Sequence, residues 1–292
     1  RAWGSQEYLI MINIDGQPSP ENLRMKGRFN ITGWQRIISY SEQLRWLADQ
    51  GMGFRKVTLN VASENLGLPK NKKEAVSKAF ELSDFVVIIE DDIVLEQDAL
   101  QWFQWHVESG YIFGHPEVAA VTCWSNSFPY SEEPVEGYDV LTVNSLGLLD
   151  KFFLDPWATP WGWAMWRRTW EAIGRNWTGW AVDFGMSVRN NGWYESQPLV
   201  SRCNNVGSVG YSKRGLTVGP IHYRSLTSGH FTNLSACRYT ELARRRVDLP
   251  QQLLRFGDKD VHSRLNLTAY HDSVMQTATN FKQGQGALLS SC

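Results

Sequence analysis

The chain has 292 residues, a formal net charge of -1 and 42% hydrophobic residues, enough to bury the core of one large domain with or without an extension. With Lys+Arg at 29 and Asp+Glu at 30, it lacks the positive field of a general nucleic-acid binder, and its apolar content at near-zero charge excludes a disordered chain. Trp, at 14, outnumbers Phe at 13 and Tyr at 10, and such rings serve cores or flat ligand platforms.

In chain order, the apolar run Tyr8–Ile14 stops at Asp15-Gly16, which predicts a buried strand entering a turn. A polar stretch from Gln17 to about Gly33 reads as a loop, and a helical pattern from Trp34 to about Asp49 closes at Gly51. Phe54–Val61 alternates as a second strand, Asn65–Pro69 is a turn, and Asn71–Leu82 is an amphipathic helix. The strand Phe85–Ile89 then runs directly into Glu90-Asp91-Asp92. This β-α-β-α-β order predicts right-handed crossovers and a mainly parallel sheet, with functional residues at the strands' carboxyl ends.

Further on, Ile93 to about Gly110 reads as a helix and Val118–Thr122 as another buried strand. Residues from about Phe128 to Val143 are turn-rich, and Phe152–Trp180 holds a dense Trp cluster with a helix from about Arg167 to Ile173. Apolar periodicity weakens after Gly215, apart from a helical piece near Thr240–Val247. The economical reading is one domain with an irregular carboxyl-terminal extension. No apolar run reaches the length of a membrane span, and the opening Arg1–Ser5 carries neither Met nor a signal-peptide pattern, as in a fragment of a longer chain. The four cysteines, Cys123, Cys203, Cys237 and Cys292, form no CxxC, which argues against zinc. Sequons begin at Asn30, Asn176, Asn233 and Asn266 and are compatible with a secretory compartment.

Chemistry concentrates at the acidic triplet. Three adjacent carboxylates at the end of an apolar strand repel one another and lose solvation when buried, and a hard divalent cation relieves both penalties. The alternative is a solvated acidic loop. Asp15 could accept hydrogen bonds from a nucleobase or ribose, or belong to a plain Asp-Gly turn. Trp163, Trp166 and Trp170 have helical spacing and read as core, whereas Trp157 and Trp161 stand in a Pro/Gly loop where rings can pack against sugars. Asp183, between apolar neighbours, could be a general base or a helix cap. His222 and His230 read as structural histidines rather than ligands.

These residues in this order resemble an inverting glycosyltransferase of the GT-A fold, closest to the N-acetylglucosaminyltransferase I family and its protein O-mannose relative. The likeness runs from Ile10 to about Gly215. Ile12–Gly16 resembles that family's strand ending in a uracil-contacting Asp, and Val86–Asp92 its Glu-Asp-Asp metal motif. Pro116–Asn126 parallels the strand and Trp/Asn loop that come next in the family, Phe152-Phe153 and Trp161-Gly162-Trp163 the acceptor-side segment, and Trp180–Phe184 the Trp-Asp-Asp-Trp base motif, with Val182 in place of its first Asp. Ser201-Arg202 and Gly207–Gly210 resemble the loop that closes over the donor. The family's first strand-helix unit, with its nucleotide-contacting Arg, and its carboxyl-terminal domain have no counterpart here.

The resemblance implies an α/β, Rossmann-like GT-A domain over residues 1–225, its nucleotide-sugar half reaching about 126 and its acceptor half after that. Residues 226–292 would form an extension packed on it. It implies Mn²⁺ or Mg²⁺ on Asp92, donor contacts from Asp15, Glu90, Asp91, Arg202 and Lys213, and acceptor contacts from Trp161, Trp163 and Asn126. Asp183 would be the catalytic base. The implied reaction moves a sugar, N-acetylglucosamine from its UDP donor as best guess, to a glycan or glycoprotein hydroxyl. The implied location is the Golgi lumen for a eukaryotic chain and the cytoplasm for a bacterial one. A nucleotide-sugar-forming nucleotidyltransferase and a non-catalytic sugar-binding module remain the alternatives; a glycoside hydrolase would need no metal triplet at a strand end.

Overall fold

The computed structural model describes residues 7–17, 19, 31–125, 151–198, 201–205 and 240–243. They fall into two compact units: one runs up to Val86 and includes Trp166–Phe184, and the other holds Val87–Met165 and residues from Gly185 onward.

In the first unit, β1 (Leu9–Ile14) and β2 (Lys56–Val61) pair in parallel, with Leu9 opposite Lys56 and Ile14 opposite Val61. The long helix α1 (Ile31–Asp49) supplies the crossover that parallel neighbours require. Inside the pair the Asn60 side-chain amide donates to Asn13 Oδ1 at 3.0 Å, so the one polar rung is satisfied across the strands. Helix α2 (Leu68–Leu82) begins with Pro69 in its first turn, where the missing N–H costs no hydrogen bond, and turns Val76 and Phe80 inward. The Phe80 ring stacks on Trp170 with centroids 5.7 Å apart, and Trp170 meets Trp177 edge-on at 6.0 Å.

The second unit is built on a six-stranded sheet. Its strands are β3 (Phe85–Ile88), β5 (Val118–Thr122), β6 (Lys151–Asp155), β7 (Trp163–Trp166), β8 (Tyr194–Pro198) and β10 (Thr240–Ala243), in the order β10-β6-β8-β5-β7-β3. The division between the units falls within β3 and β7. The pairs β10–β6 and β5–β8 are parallel, while β6–β8 and β5–β7 are antiparallel. A separate antiparallel ribbon joins β4 (Ile93–Leu95) to β9 (Cys203–Asn205).

This mixed sheet overturns the expected mainly parallel, Rossmann-like GT-A architecture. β1 and β2 stand apart as a two-stranded sheet, and β3 takes β7 as its neighbour instead of β2. A strand buried on both faces is a continuous apolar run whichever way its neighbours point, so the sequence pattern located the strands without fixing their directions. Two local expectations also change: Ile93–Leu95 is a strand, with helix α3 starting only at Ala99, and Thr240–Ala243 is a strand. The expected domain boundary near residue 225 lies outside the described residues.

The core of this unit is aromatic. Helix α3 (Ala99–Glu108) buries Trp102, Phe103, Trp105 and His106, and Phe152 of β6 packs edge-on to Trp102 at 5.7 Å and to Trp105 at 5.4 Å. The short helix α4 (Tyr111–Gly114) adds Tyr111, whose ring lies 5.3 Å from Phe152. His106 sits among them with one ring nitrogen 3.0 Å from the Trp102 carbonyl and the other 2.9 Å from Ser196 Oγ. Burial pushes its pKa down to about 3, so it is neutral and structural at physiological pH.

Candidate functional site

The acidic triplet lies between β3 and β4. The Ile93 N–H donates to the Glu90 carbonyl at 3.1 Å, closing a turn that leaves Asp91 exposed and Glu90 and Asp92 half-buried. Within Asp92, Oδ1 is withdrawn from water and has no hydrogen-bond partner among the described residues. An ionised oxygen in that position is costly unless a cation or a donor completes it. Among the described residues, no group of three or more His, Cys, Asp or Glu side chains converges to hold a metal ion. Asp92 can therefore contribute a single carboxylate, as in sites where substrate oxygens and water supply the remaining ligands.

Backbone pairing on its carboxyl-terminal side anchors this turn. β4 pairs with β9, the Glu96 N–H donates to the Arg202 carbonyl at 2.9 Å, and the Arg202 N–H donates to the Cys123 carbonyl at 2.6 Å. A backbone chain thus runs from the acidic turn through β9 to the end of β5. Beside that end, the half-buried Trp161 ring is held edge-on by the buried Trp124, with centroids 4.7 Å apart. The Thr122 hydroxyl donates to the Trp161 carbonyl at 2.9 Å and accepts from the Trp124 N–H at 3.1 Å, which fixes the indole's backbone.

Other expected site residues are placed differently. Trp163 is 1% exposed on β7, so its ring is core and offers no face to an acceptor. Its helical spacing with Trp166 and Trp170 misleads, because β7 ends at Trp166 and helix α5 (Arg167–Ile173) begins only there. Arg202, expected on a donor phosphate, is fully buried with Nε 3.1 Å from Asp98 Oδ2, and Asp98 is fully buried too. Burial pushes the Asp98 carboxyl upward while the Arg202 charge opposes that shift. Asn126 and Lys213 lie outside the described residues.

In the first unit, the Asp15 carboxylate serves its own turn. Oδ1 accepts from the N–H groups of Gly16 and Leu66 at 2.8 and 2.7 Å, and Oδ2 from the Gly67 N–H and the Asn65 amide at 2.9 and 3.1 Å. Four donors occupy the acceptor capacity of one carboxylate, joining the end of β1 to the entry of α2. Asp183, half-buried in the first turn of helix α6 (Ala181–Asn190), accepts a hydrogen bond from the Thr178 hydroxyl. That hydroxyl in turn accepts from the Trp180 N–H at 3.3 Å, so the carboxylate is oriented by a compact polar turn.

Sequence reasoning missed two buried carboxyls. Asp98 falls inside the span read as one helix from Ile93, where nothing local marks it as buried. Glu195 stands in the polar run Tyr194-Glu195-Ser196-Gln197, with no apolar alternation to suggest a central strand, yet β8 is completely enclosed between β5 and β6. Glu195 Oε2 accepts from the Thr159 N–H at 2.8 Å and the Gln197 amide at 2.9 Å, and burial drives its pKa well up, assisted by nearby Asp155. No protein-family model matches the chain, and no curated protein matches it.

Proposed function

We propose that the chain is a metal-dependent inverting glycosyltransferase that moves a sugar from a nucleoside diphosphate to a glycan hydroxyl, with UDP-N-acetylglucosamine as the leading donor. The observation that carries this reading is the buried Oδ1 of Asp92, without a hydrogen-bond partner among the described residues, in an anchored acidic turn at a strand end. An oxygen of that kind fits a hard divalent cation, Mn²⁺ or Mg²⁺. When bound, such a cation supplies Lewis-acid neutralisation of the charge that gathers on a departing diphosphate.

The chain's own residues do the rest. Asp92 holds the cation site, and Glu90 and Asp91 accept hydrogen bonds from donor ribose and sugar hydroxyls. By the resemblance alone, Asp183, which Thr178 orients within its own unit, is the general base proposed for the acceptor hydroxyl in an inverting transfer. The Trp161 indole, braced by Trp124, packs against the C–H face of a sugar.

A thermal-shift series with UDP-, GDP- and other nucleotide sugars, with and without Mn²⁺, tests the reading. The expected result is metal-dependent stabilisation by UDP-N-acetylglucosamine. Stabilisation by none of the nucleotide sugars overturns it. The base assignment has its own check: Asp183→Asn is expected to keep donor-induced stabilisation and lose transfer, and unchanged transfer sinks the assignment.

A further inference from the structure

Two thiols meet beneath the Trp161 loop. Cys123 comes directly after β5 and Cys203 opens β9, and both are almost completely buried. Their sulfurs converge on one atom: Cys123 Sγ lies 3.9 Å and Cys203 Sγ 3.8 Å from the Trp161 carbonyl oxygen. Gly162 makes room for them. A Cβ at that position would stand 2.3 Å from Cys123 Sγ and 3.3 Å from Cys203 Sγ, so both sulfurs occupy the space that any side chain there would need. Cys203 is also close enough to Cys123 to help burial raise its thiol pKa. The adjoining backbones are already tied, because the N–H of Arg202, next to Cys203, donates to the Cys123 carbonyl at 2.6 Å.

We propose that Cys123 and Cys203 form a structural disulfide when the chain folds in the presence of a low-molecular-weight disulfide such as oxidised glutathione. The thiolate of one cysteine attacks a glutathione sulfur, forming a mixed disulfide and releasing one glutathione thiolate. The second cysteine, after losing its proton, attacks the protein sulfur of that mixed disulfide and expels the other glutathione. The protein gives up two protons and two electrons, and one small disulfide becomes two thiols. Burial raises the Cys123 thiol well above its ordinary range, which disfavours the attacking thiolate once the site has closed. The exchange therefore belongs to folding, before the Trp161 loop covers the pair.

The bond would fasten β9 to the end of β5. Because β9 pairs with β4 directly after Asp92, the crosslink would stiffen the support of the acidic turn without engaging its carboxylates. This inference is independent of the reaction proposed above.

The test is disulfide mapping of the full chain refolded in reduced and oxidised glutathione. The protein is alkylated under denaturing conditions without reductant, digested and analysed by mass spectrometry. The expected product is a Cys123 peptide joined to a Cys203 peptide. Recovery of both cysteines as alkylated thiols, or either one joined to Cys237 or Cys292, overturns the proposal. As a second measurement, reductant should lower the melting temperature of the crosslinked wild type by on the order of 5–10 °C. Cys123→Ser and Cys203→Ser should each lose that reductant sensitivity, while a Cys237→Ser/Cys292→Ser double variant should keep it. Reductant sensitivity that survives both single substitutions counts against the pair. Mapping of the wild type decides the matter even where a serine variant fails to fold.

Discussion

The guanidinium of Arg202 meets the carboxylate of Asp98 with Nε 3.1 Å from Oδ2, and neither side chain reaches water. A cation that resembled a phosphate ligand in sequence is instead a strut behind the acidic turn, since the Arg202 carbonyl also accepts the Glu96 N–H. Breaking such a pair from one side leaves an uncompensated buried charge, at a cost of about 3–5 kcal/mol, whereas replacing both partners by apolar groups is often near neutral. Asp98→Ala and Arg202→Met should each lower the urea midpoint strongly, and Asp98→Leu/Arg202→Met should recover most of the loss. Additive losses in the double variant would show that the two residues act separately.

Glu195 makes stability depend on pH. Its folded-state pKa is raised, so the folded protein holds a proton that the unfolded chain releases at ordinary carboxyl pH. The resulting stabilisation is fully present below the unfolded pKa, near 4.3, and is lost as pH rises towards the folded value. Each such proton contributes a slope of about 1.4 kcal/mol per pH unit across that window. Urea titrations of wild type and Glu195→Gln from pH 4 upward should therefore diverge, with the wild type losing stability relative to the variant. Parallel curves would mean that Glu195 ionises alike in both states.

Asp15 illustrates how a strand-end carboxylate can be structural. Its four donors come from Gly16, Asn65, Leu66 and Gly67, so Asp15→Ala strands several part-buried donors at once. The expected loss is about 2–3 kcal/mol in chemical denaturation, on the scale of 1–3 kcal/mol for leaving a buried group unsatisfied. A variant as stable as the wild type would make the turn network dispensable and restore Asp15 as a candidate ligand contact.

How much of the molecule the sequence revealed depends on how far each signal reaches. Val118–Thr122, buried at every position, announced itself as a strand because burial on both faces demands an apolar run; Phe85–Ile88 showed the same apolar run although only Val86 is buried, and the helix over Arg167–Ile173 was also legible. Strand direction was not legible, since pairing is decided by which distant segments meet. The partnerships of Cys123 with Cys203, Arg202 with Asp98 and Glu195 with Thr159 share that property: each joins positions with no local pattern between them. Trp163 is buried as its spacing suggested, but in a strand: its helical spacing from Trp166 arises by coincidence there, and the acceptor contact implied by the resemblance is not offered by a core ring.

Gly162 has φ +56°, a left-handed conformation that costs an L side chain of order 1 kcal/mol or more. A methyl group there would also stand 2.3 Å from Cys123 Sγ. Strain and overpacking act together, so Gly162→Ala should destabilise the protein by about 2–4 kcal/mol. Thermal unfolding would register this directly. The same substitution in a Cys123→Ala background should cost less, because the clashing sulfur is gone while the backbone strain stays. An equal cost in both backgrounds would leave backbone conformation as the whole effect.

Asp92→Asn separates a cation site from an ordinary acidic turn. Among the described residues Oδ1 is buried without a partner, so in metal-free protein neutralising the carboxylate should leave the melting temperature unchanged or raise it. A bound cation reverses that sign. A ligand at 100 times its dissociation constant stabilises by about 2.7 kcal/mol, which corresponds to a shift of roughly 5–10 °C for a chain of this class. Wild type should therefore gain several degrees on addition of Mn²⁺ with UDP, and Asp92→Asn should gain almost none while matching or exceeding wild type in chelator. The contrast between the two conditions matters more than either value, since a merely structural Asp92 would lower the variant's melting temperature equally with and without metal. A variant that retained the wild-type Mn²⁺ shift would remove Asp92 from the metal site and, with it, the main support for the proposed chemistry.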